Sequence, residues 1–327
     1  MSAGTGNAAA RTWTLLRETR HAPPGYASSA ARRSTYQASL EQAEQMFAAA
    51  AQVGVATRPL QVFYGLSQGG RAVAAAARVL SGNDYRLVGH GIKANGLDAS
   101  DITGVRLTRE GGDATSFARL SLVLGSPQLD GTSVPLPDLW HAIPEGAAVP
   151  LDAAWEYVPL RVNLDEIADN SYVGKVMFRV HGLPDRFFPQ IGFLPDTDLT
   201  AFLEHFPSLA GYTDADYLSP DKALFLRWNT SHQGLPTLDD ALDKVTPYLS
   251  GHYVMPAVGT QPAPMHPLMV WWAVVYALSM LARYQPDRWA AAIDVDRSAF
   301  AVAIEHLLDQ ALTVLPALLY TAIVDVS

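Results

Sequence analysis

At 327 residues, with 49% hydrophobic and 17% charged side chains, the chain can bury a large core, and its length allows one large domain or two. A net charge of −9 with only 23 Lys plus Arg excludes an extensive phosphate-tracking surface for nucleic acid. The absence of cysteine excludes disulfides, thiolate metal sites and cysteine nucleophiles.

Residues 1–35 read as a partly ordered lead-in. Its start is small and polar without an apolar run, so no signal peptide is read there and a cytoplasmic location is expected. Trp13, Leu15 and Leu16 are expected to dock on the body, while Arg11, Arg17, Arg20, Arg32 and Arg33 form a positive cluster that reads as a solvated arm. From Ser39, a good N-cap, the stretch Leu40 to Val53 puts apolar or small residues at Leu40, Ala43, Met46, Phe47 and Ala50, which predicts an amphipathic helix. Thr57-Arg58-Pro59 ends it, so a helical hairpin over 36–82 is expected.

Arg58 to Ile92 supports two opposite readings. In one, Leu60 to Tyr64 is a strand, Gly65-Leu66-Ser67-Gln68-Gly69 is a G-x-S-x-G nucleophile elbow, and Ser67 is the nucleophile of a serine hydrolase. That reading needs a downstream acid and His, such as Asp239 or Asp294 with His266 or His306, and strands before the elbow, where only a helix is predicted. In the other, Pro59 opens one long helix with apolar Leu60, Phe63, Leu66, Val73, Ala76 and Val79, and Ser67 faces a neighbouring helix.

Residues 85–260 read as a β-rich insertion with short helices. Gly104 to Thr108, Phe117 to Val123, Val176 to Val180 and Ala223 to Trp228 are strand candidates bounded by Gly, Pro and Asp turns. Pro135 to Pro144 reads as a loop with one short helix, and Leu199 to Phe206 and Leu238 to Leu249 as helices. Residues 264–325 turn helical, over Pro267–Arg283, Arg288–Ile293 and Ser298–Ile323, with Pro316 expected to kink the last one. The apolar runs Pro267 to Ala282 and Leu307 to Val324 read as core helices too short or interrupted to span a membrane. Together these elements predict an α+β fold: a helical bundle made by the N- and C-terminal helices, with the β-rich insertion packed against it.

Pro59-Leu60-x-x-Phe63-Tyr64-Gly65, followed by Gly89-His90-Gly91, and the later run Val275 to Tyr284 with Pro286 and Trp289, resemble the signature of the YaaC-like protein family. The resemblance covers the chain from about Tyr36 onward, through a variable middle. It implies a bacterial protein with a single domain over 36–327, favours the helical reading of Ser67, and brings no particular activity with it.

The candidate chemistry centres on His90. Its flanking glycines permit unusual backbone angles, and Arg86 and Lys93 nearby would suit an anion. Arg283 and Tyr284 end a buried helix; if Arg283 lies beside His90, the two could hold a phosphate or carboxylate, with the guanidinium as a fork. Trp271, Trp272, Tyr276 and Tyr284 read as core packing. The main expectation is therefore a binding or regulatory protein, its options being a small anionic ligand, a protein partner or a second copy in a homodimer. The alternative from another class is a ribonuclease resembling the HEPN type, whose Arg-to-His spacing is matched by Arg227 to His232, though on a strand and loop. No metal-ligand spacing is present, Asp294-Val295-Asp296 reads as a helix cap, and no cofactor motif appears.

Overall fold

The computed structural model describes residues 2–131, 133–163, 175–187, 196–212, 214–218, 222–229, 239 and 242–327. The architecture is α+β, as the alternation of patterns predicts.

The lead-in is more structured than its composition suggests. It forms helix α1 (Ser2–His21) and a short turn of helix at Gly25–Ser28. Leu16 is buried, whereas Leu15 stays exposed. Part of the arginine cluster is tied down, because α2 (Ala30–Ala50) presents acids to two of its members: Arg17 pairs with Glu44, and Arg20 meets Glu41 at 2.8 Å. Arg32 is buried, donates to the carbonyls of Ala77 (3.1 Å) and Leu80, and stacks on Tyr85 at 4.8 Å. It thus satisfies carbonyls left free past the end of α3 (Arg58–Ala76), as a cation near a helix C-terminus does.

The start of α2 lies well before Ser39, which is buried inside the helix, not at its cap. Packing against α3 outweighs the weak local signal of the serine-rich start. Within α3, Pro59 sits in the first turn, where its missing N–H costs nothing. A Cβ on Gly65 would come within 2.9 Å of Phe47, one on Gly69 within 2.4 Å of Leu319, and one on Gly70 within 2.7 Å of Leu120. These glycines therefore let three neighbours approach the helix closely. The strand-turn-helix elbow is absent: Ser67 lies in continuous α-helix, and no strained turn exposes its hydroxyl.

A three-stranded antiparallel sheet follows, in the order β1 (Ile92–Asn95), β2 (Arg106–Arg109), β3 (Val134–Pro135). Between its strands lies α4 (Ser116–Val123), where a strand was expected. The burial explains the difference, since Phe117, Ala118, Leu120 and Ser121 are buried and Leu122 is 58% exposed. That is one face of a helix; strand alternation would have paired Leu122 with Leu120. Two short helices, α5 (Leu136–His141) and α6 (Pro144–Ala148), replace the single one expected.

A six-stranded antiparallel sheet carries the second apolar core. Its strands are β4 (Leu160–Val162), β5 (Lys175–His181), β6 (Asp214–Leu218), β7 (Ala223–Asn229), β8 (Thr246–Tyr248) and β9 (Gly251–Val254), in the order β6-β7-β5-β4-β9-β8. Helix α7 (Asp196–Leu203) covers it with Leu199 and Phe202. The predicted helix Leu238 to Leu249 is not formed at its C-terminal end, where β8 turns tightly into β9; Leu238, Asp240 and Ala241 lie outside the described residues. Pro247 disfavours a helix interior and is tolerated on this edge strand.

Tyr248 joins the sheet to the helices. It accepts from Trp271 Nε1 at 2.9 Å and donates to Glu145 at 2.6 Å. Burial pushes the Glu145 carboxyl above its usual range, against the hydrogen bond from Tyr248. Removing the hydroxyl would leave an indole N–H and a carboxylate oxygen without their partner. Tyr248→Phe is therefore expected to cost about 2 kcal/mol in urea unfolding. A loss no larger than that of Tyr253→Phe would show that this network adds nothing.

Helices α8 (Pro267–Tyr284), α9 (Pro286–Ala292) and α10 (Ala301–Val326) complete the fold, and α10 runs continuously through Pro316. By length and mean hydropathy, 1.2 and 1.7, α8 and α10 do reach the spanning range, contrary to the reading from apolar runs. What speaks for core helices is burial: 83% and 56% of those windows are covered by the rest of the chain.

Candidate functional site

The loop holding His90 is fixed by its main chain. Gly89 and Gly91 adopt φ of 61° and 79°, the left-handed region where glycine is unstrained. The carbonyls of Gly89, His90 and Gly91 accept, respectively, from Ser116 Oγ (2.6 Å), Phe117 N–H (3.0 Å) and Glu110 N–H (3.1 Å). Phe117 lies in the first turn of α4, so the His90 carbonyl satisfies one of the donors that every helix leaves open at its start. The His90 backbone is thus committed to structure, which leaves the imidazole for other work.

That imidazole is half-buried between two helices. Its ring lies 5.2 Å from Phe63 of α3, edge-on, and 5.8 Å from Tyr276 of α8. Phe63 and Tyr276 themselves meet at 5.2 Å. Burial first, then the guanidiniums of Arg283 and Arg71, hold the His90 pKa below its usual value, so the ring is neutral at pH 7.

Both arginines keep donors in reserve. Arg283 Nη1 donates to the Tyr64 hydroxyl at 3.2 Å, with its guanidinium 5.0 Å from the Tyr284 ring. Arg71 Nη1 donates to the Leu87 carbonyl at 3.3 Å. A guanidinium carries five N–H groups, of which each arginine commits one to an acceptor among the described residues, and the Tyr64 hydroxyl, accepting from Arg283, keeps its own proton to donate. Glu110 contributes one opposing charge: burial first, then Glu110 and Tyr284, push the Tyr276 hydroxyl up to about 12. The arrangement is a neutral imidazole beside two cations and one anion.

The structure therefore brings His90 and Arg283 within electrostatic reach of each other, with Tyr284 stacked on the arginine. Arg86 and Lys93 are not among the charges that shift His90. Arg86 lies against Tyr85, whose hydroxyl turns to Ala31, and Lys93 is exposed on β1, alternating with buried Ile92. Sequence neighbours of a loop residue need not share its side of the chain. Arg71 was missed, although the signal was present: Tyr64 and Arg71, like Tyr276 and Arg283, stand seven residues apart, two turns along one helix face. The phrase Phe63-Tyr64 and the run ending in Arg283-Tyr284 thus meet at the glycine-flanked histidine.

Of the other candidates, Ser67 is helical and half-buried. Arg227 is buried on β7, and His232 lies outside the described residues. Among the described residues, no group of three or more His, Asp or Glu is placed to hold a metal ion.

A family model described as YaaC-like Protein matches residues 7–323, so the match extends over α1, which the motifs alone had left outside. Neither the curated proteins nor the solved structures contain a match to the chain.

Proposed function

The chain belongs to the YaaC-like protein family, and we propose that it is a binding or regulatory protein whose ligand presents a phosphate or carboxylate to His90, Arg71 and Arg283. What supports this reading is a half-buried imidazole packed on Phe63 and Tyr276, with Arg283 held on the Tyr64 hydroxyl and Arg71 on the Leu87 carbonyl, near enough for both charges to act on the ring. An anion there would take a fork from Arg283, a second cation from Arg71 and a hydroxyl from Tyr64, and charge-assisted bonds of this kind are the strong ones. It would also reverse the pressure on His90. The imidazole, depressed by burial and then by the two cations, would regain a proton more readily as the anion neutralises them, so binding strengthens as pH falls towards 6.

The test is calorimetric titration with inorganic phosphate and pyrophosphate. Arg283→Gln is expected to weaken binding about tenfold or more, which is the loss of one charge-assisted bond, and His90→Ala to flatten its pH dependence. Equal affinity in wild type and Arg283→Gln would remove this site from the account. A ribonuclease reading would use the same His90 and Arg283. Cleavage of single-stranded RNA by wild type, lost in His90→Ala with the fold intact, would replace binding by catalysis.

A further inference from the structure

Away from His90, a cavity of about 270 Å³ opens between the loop 97–102, the end of α8, α9 and the chain leading into α10. Its floor is apolar, made by Leu97, Ile102, Leu281 and Phe300, with the small side chains of Ala291 and Ala292 leaving the space open. The rim is polar and carries Arg288, Arg297 and Asp101.

The rim charges are unequal in what they have left to offer. Asp101 is spent on its own loop: its carboxylate accepts from Thr103 N–H at 2.9 Å, from the Thr103 hydroxyl, and from Ser100 Oγ at 3.3 Å. Those bonds, the Thr103 hydroxyl foremost, hold its pKa below the usual range. Arg288, by contrast, donates through Nη1 to the Ala99 carbonyl at 2.5 Å, and among the described residues no carboxylate pairs with it. That bond aims the guanidinium while leaving its other face unused. Arg297 meets Asp294 only at 3.7 Å and its side chain is 86% exposed. Two cations with open donors thus stand over an apolar floor, while Asp101, the anion in the lining, has its oxygens turned to its own loop and Asp294 stands outside the lining. The geometry points to a binding site for a small carboxylic acid with an apolar body, its chain on the floor and its carboxylate on Arg288 and Arg297. Sites of this type bind by shape-filling apolar contact and take orientation from a few polar groups. The inference is independent of the His90 site.

Octanoate is the probe, with octylamine as its cationic counterpart. Octanoate, titrated with phosphate present to occupy the His90 site, is expected to bind wild type at one site by calorimetry and to raise its melting temperature, and octylamine to bind at least tenfold more weakly. Ala292→Phe, which fills the cavity without touching a charge, should abolish octanoate binding. Arg297→Glu, on an exposed side chain that the fold does not need, should weaken it about tenfold, which keeps the test decisive if the filled cavity disturbs folding. His90→Ala should leave it unchanged. No octanoate binding to wild type, equal binding of octylamine, or undiminished binding by Arg297→Glu would each overturn the proposal.

Discussion

Gly91→Ala is expected to destabilise the protein by about 3 kcal/mol or more, while Gly89→Ala, two residues away, costs about 1 kcal/mol. Both glycines have positive φ, 61° at Gly89 and 79° at Gly91, so both substitutions carry the left-handed strain of an L side chain. They differ in space. A Cβ at Gly89 meets nothing within 4 Å, whereas one at Gly91 would lie 2.3 Å from Thr115 Oγ1 and 3.1 Å from the Phe117 nitrogen. Thr115 and Phe117 belong to the start of α4, which the His90 and Gly89 carbonyls help to hold. The clash therefore falls on the staple that fixes the His90 loop, and Gly91→Ala should also weaken phosphate binding by more than Gly89→Ala does. Denaturant unfolding of the two variants side by side checks this. Equal losses would mean that the loop yields freely and that its tight geometry does not position His90.

Lowering the pH from 7 to 4 is expected to remove about 3 kcal/mol of stability through His266 alone. His266 precedes α8 and serves as its N-cap, Nδ1 accepting from Leu268 N–H at 3.1 Å. Burial lowers its pKa from 6.5 to about 4, and the cap itself requires an unprotonated nitrogen. The folded pKa is below the unfolded one, so the unfolded chain takes up the proton first. Stability is then complete above pH 6.5, declines as pH falls through the window from 6.5 to about 4, and levels below it. Carboxyls with a raised pKa work in the opposite sense. Partial burial raises the pKa of half-buried Asp138 and Glu145, and desolvation at the more exposed Asp325 acts in the same direction, so their protonation in the fold offsets part of the loss. The informative quantity is the difference between wild type and His266→Asn, since asparagine keeps a capping oxygen and does not titrate. Wild type should lose about 3 kcal/mol more than the variant between pH 7 and pH 4; parallel curves would show that folding does not lower the His266 pKa.

The helices at the two ends were legible because their signals are local: Pro59 opening α3, Pro267 opening α8, and long apolar runs behind both. The middle was less so. Phe117 to Val123 offers seven residues in which helix and strand patterns overlap, and only the burial of Ser116 and Ser121 beside exposed Leu122 separates them. Residues 246–248 form an edge strand whose partner, β9, decides its conformation. The arginine-rich start looked like a solvated arm because its acidic partners, Glu41 and Glu44, sit some twenty to thirty residues away in sequence. At the candidate site, His90 was marked by its glycines and Arg283 by its helix end. Their approach depends on how α3 and α8 pack, which no sequence spacing encodes. Arg86 and Lys93 stand near His90 in sequence, but the charges that act on its ring are those of Arg283 and Arg71. Arg71 required α3 to be taken as one helix, so that its side chain falls in line with Tyr64.

The central claim, that His90 is tuned by Arg71 and Arg283 to accept an anion, is tested most directly by following the His90 imidazole through a pH titration by NMR. Without phosphate the account predicts a pKa below 6.5, the direction that burial and the two guanidiniums impose; with saturating phosphate it predicts an upward move that Arg283→Gln diminishes. A pKa at or above 6.5 in the free protein, or one that phosphate leaves unchanged, would contradict it.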